Sequence, residues 1–305
     1  MKHIVSISLG SSERDHSAEV ILLNEKYIVE RIGTNGDLNQ AIKLIEKLDG
    51  KVDAFGMGGI DLYVWAGSRS YMIRDAMRLK AAAKHTPMVD GSGLKNTLER
   101  KVIKYLVENR IVDFQGKKVL LTSAMDRYGM AHEIKNYGGD IVIGDLIFAL
   151  GINMPIYSFE GLNRIARIIA PLVCRLPFKL LYPTGVKQKE KSSKSLHSHY
   201  NKADIIAGDF HYIKRFMPDS LKDKILITNT VTERDIIELR QREVSVLITT
   251  TPQLQGRSFG TNAMEAMLVA TLADLNKEAT EENYYQLLEE MQLEPRVERF
   301  KYSTV

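Results

Sequence analysis

Apolar and polar positions alternate with a period of two in residues 2–9 (KHIVSISL) and 19–31 (EVILLNEKYIVER), which predicts strands, with Asn24-Glu25-Lys26 as a hairpin turn inside the second. The period then lengthens. In DLNQAIKLIEKLDG the residues Ile42, Leu44, Ile45 and Leu48 form an apolar face between an N-cap Asp37 and a closing Gly50, which predicts a helix. KVDAFGMGGIDLYV reads as a strand ending in a glycine turn. Residues 69–84 and 93–109 have helical spacing, with HTPMVDG between them as a short strand or loop.

From Lys117 the pattern changes again. The runs KVLLTSA, DIVIGD, KILITNT and VSVLITTT are continuously apolar, as expected of parallel strands covered by helices on both faces. An internal echo links DIVIGDLIFAL at 140 with DIIAGDFHYIK at 204. The expected fold is therefore α/β with two α/β domains: residues 1–112, then a Rossmann-like, doubly wound, mostly parallel domain over 113–270. An acidic helical tail follows over 271–305 and packs back.

A length of 305 residues accommodates two cores, and 44% hydrophobic with 26% charged residues is an ordinary globular balance. Cys174 is the sole cysteine, which excludes an internal disulfide and a cysteine-based zinc site and fits a reducing cytoplasm. MKHIVSISLG turns polar too early for a signal peptide, and arginines break the most apolar long stretch, so no membrane partner is expected. The net charge of +4 is local. Residues 175–202 hold seven Lys/Arg and one acid, +6, leaving −2 elsewhere. This patch reads as a solvated loop around KQKEKSSKSLHSHYNK rather than a nucleic-acid surface. The histidines at 197, 199 and 211 lack metal-ligand spacing, so no metal is expected. A homo-oligomer is left open.

Three of the parallel runs end in hydroxyl clusters: Thr122-Ser123, Thr228-Asn229-Thr230 and Thr249-Thr250-Thr251. In an open parallel sheet, ligands bind beyond the carboxyl ends of the strands, where short hydroxyls can donate without filling the space. The alternative is that these residues only cap the following helices. KKVLLTSAMDRYGMAHEIKNYGGDIVIGD has the strand–turn–helix–strand–acid layout of a dinucleotide unit, yet its turn region holds one glycine, Gly129. Ser123 and Ala124 supply small residues, Asp126 is expected to line a ligand cleft between the two domains, Arg127 is placed to neutralise a phosphate, and Asp145 stands where an acid accepts from the ribose of NAD. Arg257, in GRSFGTNAMEAM, could hold a carboxylate or phosphate.

MVDGSGLKNTLERKVIKYL followed by DFQGKKVLL resembles shikimate and quinate dehydrogenases, whose NTDG motif precedes a helix and a GK-V-hydrophobic strand. VLITTTPQLQG is similar to that family's NATP strand with its glutamine–glycine pair, and the spacing resembles a clostridial group labelled quinate 5-dehydrogenase. Continuous similarity covers residues 86–145 and returns over 244–260. The resemblance implies NAD- or NADP-linked oxidation of a ring hydroxyl on a small hydroxylated carboxylate. It would make Asp90 the acid of a lysine–aspartate pair, Gln255 a substrate-site amide, and Ser6 and Ser8 the holders of the substrate carboxylate. FGMGGIDLYVWAG, where the family carries its lysine, has none. Lys95 is the substitute candidate for proton transfer, against a bland reading as a solvent-facing helix residue. The missing lysine and altered turn also motivate a non-catalytic sensor, and the clustered Thr and Arg residues motivate an enzyme of other chemistry on a nucleotide or phosphorylated ligand.

Overall fold

The computed structural model describes residues 1–66, 69–177, 194–251, 253–254 and 257–300. Gln255 and most of the basic stretch expected to be a loop lie outside them; of that stretch, residues 194–202 are helical. In chain order the elements are β1 (Lys2–Ser8), β2 (His16–Leu22), β3 (Glu25–Gly33), α1 (Leu38–Leu48), β4 (Ala54–Gly58), β5 (Tyr63–Ala66), β6 (Arg69–Met72), α2 (Arg74–Ala82), β7 (Met88–Val89) and α3 (Ser92–Glu108). Then come β8 (Lys118–Leu121), α4 (Tyr128–Asn136), β9 (Asp140–Ile143), α5 (Asp145–Leu150), α6 (Phe159–Val173), α7 (Lys194–Lys202), β10 (Ile205–Gly208), α8 (Phe210–Phe216) and β11 (Ile225–Thr228). The chain closes with α9 (Glu233–Gln241), β12 (Val246–Thr249), β13 (Gln253–Leu254), β14 (Arg257–Ser258), α10 (Thr261–Asp274), α11 (Glu281–Glu290) and β15 (Arg296–Arg299).

The fold is α/β with two main sheets, and the chain passes between two compact units several times. The first unit comprises Met1–Thr97, Ile165–Gln188 and Leu254–Leu293; the second comprises Leu98–Arg164, Lys189–Gln253 and Glu294–Val305. Single cuts near residues 112 and 270 do not describe this division. The cause is local: α10, expected in the second domain, packs on β4 and β1 of the first, and α11 follows it there through Tyr284.

The first unit's sheet has the order β2-β3-β1-β4-β7, parallel except for the β2–β3 hairpin. That hairpin turns at Leu23 and Asn24, both at positive φ (50° and 61°), one residue earlier than the alternation suggested. Residues 69–72, expected to be helical, instead form β6 against β5, and the helix starts only at Arg74. Val5, Ile7, Phe55 and Met57 share a core with Ala41, Ile45, Ala76 and Leu79 of α1 and α2. Ser6 and Gly56, the alternate positions, face Asn262 at the start of α10. The fit there is close. A Cβ on Gly56 would lie 2.9 Å from the Asn262 carbonyl oxygen, and one on Gly91, which has φ +93°, 2.7 Å from the Asn262 nitrogen.

The second unit's sheet has the order β15-β12-β11-β10-β8-β9, parallel except for β15. The expected Rossmann-like layout is present, with the strands buried on both faces. Leu120, Ile206, Leu226 and Leu247 pack with Tyr200, Phe210, Ile213, Phe216, Ile236 and Leu239 on one face. The repeated Asp-Ile-x-x-Gly-Asp motif is a repeated device: at both positions a strand runs into Gly-Asp and a helix, α5 after β9 and α8 after β10. No helix among the described residues is long and apolar enough to cross a membrane.

Replacing Gly91 with alanine should cost roughly 1–3 kcal/mol, because the left-handed backbone and the Asn262 nitrogen both oppose a side chain. Equilibrium denaturation would read this as a lowered midpoint with an unchanged slope.

Candidate functional site

β8 lies between β9 and β10 in the second sheet. The chain leaves β8 toward β9 on one side and later returns to β10 on the other, so the β8/β10 boundary is a topological switch point, the place where open parallel sheets commonly bind ligands. The register aligns Leu121 with Ala207, Gly208 with Thr228 and Thr228 with Thr249, which sets Thr122, Gly208, Thr228 and Thr249 in one row across four strand tips.

The hydroxyls of that row differ in employment. Thr228 Oγ1 donates to the Gly208 carbonyl at 2.8 Å and Thr249 Oγ1 to the Thr251 carbonyl at 3.3 Å. Thr250 is buried, with its N–H on the Thr228 carbonyl at 2.8 Å. Ser123 Oγ accepts from the Asp209 N–H at 3.1 Å. Thr228, Thr249 and Ser123 therefore bond to backbone atoms of the strand tips and turns, and none of them caps a helix. Thr122 is the exception. The residue is 1% exposed, and among the described residues its Oγ1 has no hydrogen-bond partner. Gly208, at φ +142°, lies beside it, and a Cβ there would be 2.2 Å from Thr122 Oγ1. A buried hydroxyl without a partner is costly, so a bound water or ligand oxygen is the expected complement.

Arg127, expected to face a phosphate, is instead buried (3% exposed) and ion-paired with Glu99 and, at 3.0 Å, with Asp209. Burial alone would weaken its charge, but Glu99, Asp209 and Asp126 outweigh that and raise its pKa. Burial likewise pushes the Asp209 carboxyl up, and the Arg127 charge outweighs it, holding Asp209 well below the usual carboxylate range. Asp209 also accepts from Asn229 Nδ2 at 2.8 Å and caps α8 through the His211 N–H. Asp126 is exposed beside this network. Gly129 does not shape the turn; it is buried inside α4.

Asp145 accepts from the N–H of Ala124 at 2.8 Å and of Met125 at 2.9 Å, one on each oxygen. Burial raises its pKa to about 6, against the lowering effect of those amides. A nicotinamide dinucleotide needs backbone amides or a cation of this turn for its pyrophosphate. Here the two amides serve Asp145, both terminal guanidinium nitrogens serve Glu99 and Asp209, and the remaining Nε is buried, so the residues present do not fit that group in this arrangement.

In the first unit the expected lysine–aspartate pair is not formed. Asp90 accepts from the Leu62 N–H at 2.6 Å and from the N–H and Oγ of Ser92, at the start of α3. Lys95 is buried, contrary to a solvent-facing reading, and its ammonium lies 3.5 Å from Asp61. The lysine whose charge Asp90 and Glu265 do favour is Lys80; burial lowers its pKa, and it donates to the Met88 carbonyl. Ser6 Oγ accepts from Asn262 Nδ2 at 2.7 Å, and Ser8 Oγ accepts from the Gly10 N–H and from Arg31, both at 3.1 Å. Arg257 begins β14; its side chain lies outside the described positions.

Glu265 escaped sequence reasoning, although an acid inside the apolar run AMEAMLVA of its helix (TNAMEAMLVATLAD) was a signal. It is buried, accepts from Tyr284 at 2.9 Å and sits beside the Gly91 and Leu94 amides; burial chiefly, then repulsion from Asp90, raises its pKa to about 7. Among the described residues no group of three or more His, Cys, Asp or Glu is placed to hold a metal ion.

A family model described as "Domain of unknown function (DUF8754)" matches residues 93–300, and one described as "Domain of unknown function (DUF8753)" matches residues 3–90. No curated protein sequence matches the chain. Among solved structures, it is distantly similar to a hetero-hexameric glutamate dehydrogenase from Thermus thermophilus (10% identity, 96% of this chain and 77% of that one, TM-score 0.43). It is also distantly similar to an NAD-dependent malic enzyme from Thermotoga maritima (12%, 94% and 84%, 0.36) and to LsrB from Clostridium saccharobutylicum in complex with AI-2 (12%, 90% and 82%, 0.37). At these scores the likeness carries no argument about function.

Two outcomes follow for solution measurements. Arg127→Met leaves Glu99 and Asp209 buried without their cation and should cost roughly 3–5 kcal/mol in denaturant unfolding. Glu265 is raised from 4.5 to about 7 on folding, so its neutral form favours the native state; that contribution is complete below pH 4.5 and is lost as pH rises through 7. Glu265→Gln should therefore gain thermal stability over wild type at pH 8 and not at pH 4, the difference being at most about 3 kcal/mol.

Proposed function

We propose that this chain, which belongs to the DUF8754 family, binds a small hydroxylated molecule at the strand-tip switch point of its second unit. The observation that carries this reading is the buried, unpartnered Thr122 hydroxyl beside Gly208. A ligand oxygen or a ligand-bound water there would complete the one hydroxyl of the row that the fold leaves unsatisfied, while the neighbouring tips are tied to one another and need not move. The ligand class is a non-phosphorylated polyol or hydroxy acid, because the donors that a phosphate would use already serve carboxylates of the protein. This reading gives the chain the role of a binding or sensing protein.

A second reading has a specific observation behind it. The β8–α4–β9 unit ends in an acid, Asp145, beside the turn, the arrangement of a nicotinamide-dependent oxidoreductase; with the resemblance to quinate and shikimate dehydrogenases it supports NAD(P)-linked oxidation of a small hydroxylated carboxylate. That activity needs Asp145 to release the two amides and a proton acceptor other than the expected Asp90–Lys95 pair. Lys80 is the lysine available to Asp90.

Thermal-shift screening with quinate, shikimate and related polyols tests the first reading. A stabilising compound is expected, and its effect should disappear in Thr122→Val, a substitution that leaves the unliganded protein equally or slightly more stable because it removes an unsatisfied buried hydroxyl. Ligand stabilisation that persists undiminished in Thr122→Val contradicts it. Substrate-dependent reduction of NAD or NADP would establish the second reading instead.

A further inference from the structure

We propose that the Asp145 carboxylate is a built-in anion that occupies the amide cradle of the β8–α4 turn and so bars phosphate-bearing ligands from the second unit. The inference rests on the strand tips being the ligand site, and it adds the residue that sets which ligands enter. Three observations carry it. The carboxylate is bidentate on consecutive amides, Ala124 to Oδ2 and Met125 to Oδ1, the way two oxygens of a phosphate would sit. The turn's own cation, Arg127, is turned inward to Glu99 and Asp209. Asp126, the next residue along, is an exposed acid that would meet an incoming phosphate with like charge.

Asp145 is held in place from behind. The Gly144 N–H donates to the Leu121 carbonyl at 2.8 Å, and a Cβ on Gly144 would lie 2.4 Å from the Phe148 ring. Glycine at 144 therefore lets α5 begin close against β8 and aims the carboxylate of its first residue across the turn. The echo motif shows the contrast: Asp209, after Gly208, caps its own helix through the His211 N–H, whereas Asp145 reaches across to another element.

The test uses inorganic pyrophosphate and NADH as probes on the full chain. In wild type, pyrophosphate should leave the unfolding temperature unchanged and NADH should show no fluorescence enhancement. In Asp145→Ser, which frees both amides, pyrophosphate should raise the unfolding temperature by several degrees, and hydrogen exchange at Ala124 and Met125 should accelerate. Asp126→Asn removes an equal charge without freeing an amide and should gain clearly less than Asp145→Ser. The proposal is overturned if wild type binds NADH, if Asp145→Ser exchanges faster yet ignores pyrophosphate, or if Asp126→Asn gains as much as Asp145→Ser. If Asp145→Ser does not fold, the wild-type titrations and the slow exchange of its two amides still decide. None of these arms involves Thr122, so they can fail while the Thr122→Val result stands, and the converse also holds.

Discussion

A guanidinium buried among carboxylates must stay charged and must keep its partners, since losing any of them leaves an ion in a medium that solvates it poorly. Arg127 puts that constraint at the carboxyl end of the second sheet. Its partners come from α3 (Glu99) and from the tip of β10 (Asp209), and Asp209 binds in turn the side chain of Asn229 beyond β11. The tips of β8, β10 and β11 are thereby tied into one polar lattice. Thr228 and Ser123 are absorbed into it, and Thr122 is the hydroxyl it leaves over.

That arrangement changes what the Rossmann-like layout means here. The same strand–turn–helix can serve a dinucleotide only if its amides and cation are available to an outside anion. In this chain both are committed to aspartates and glutamate of the protein itself. The architecture is that of nucleotide-binding folds; the donors are those of a self-contained turn. Fold and ligand chemistry are separable, and the separation is visible in individual hydrogen bonds.

Much of the fold was legible in the residues. The continuous apolar runs after Lys117 gave parallel strands, and the repeated Gly-Asp after two of them marked equivalent strand-to-helix turns. The domain boundaries were not legible, because α10 is apolar on every side and its sequence does not say which sheet it will cover; that depends on Gly56 and Gly91, distant in the chain, opening a path for Asn262. Residues 69–72 were misjudged because four residues of a hairpin strand adjoin a true helix with no break other than Ile73. At the site, sequence reasoning selected Thr122, Asp126, Arg127 and Asp145 but could not say which of them face one another. Arg127 and Asp145 carry charge that reads as ligand-directed until Glu99 and the Ala124 amide are seen to meet it, and Lys80 gave no positional motif at all.

The central claim is that the switch point beyond β8 and β10 receives a hydroxylated guest through the one hydroxyl of the row that the lattice leaves unsatisfied. A crystal structure of the protein with a compound that stabilises it measures this most directly. The account predicts a ligand oxygen, or a water bound to the ligand, within hydrogen-bonding distance of Thr122 Oγ1, with Arg127 still on Asp209. A ligand bound with no atom or bridging water reaching Thr122, or one whose phosphate rests on the Ala124 and Met125 amides, would contradict it.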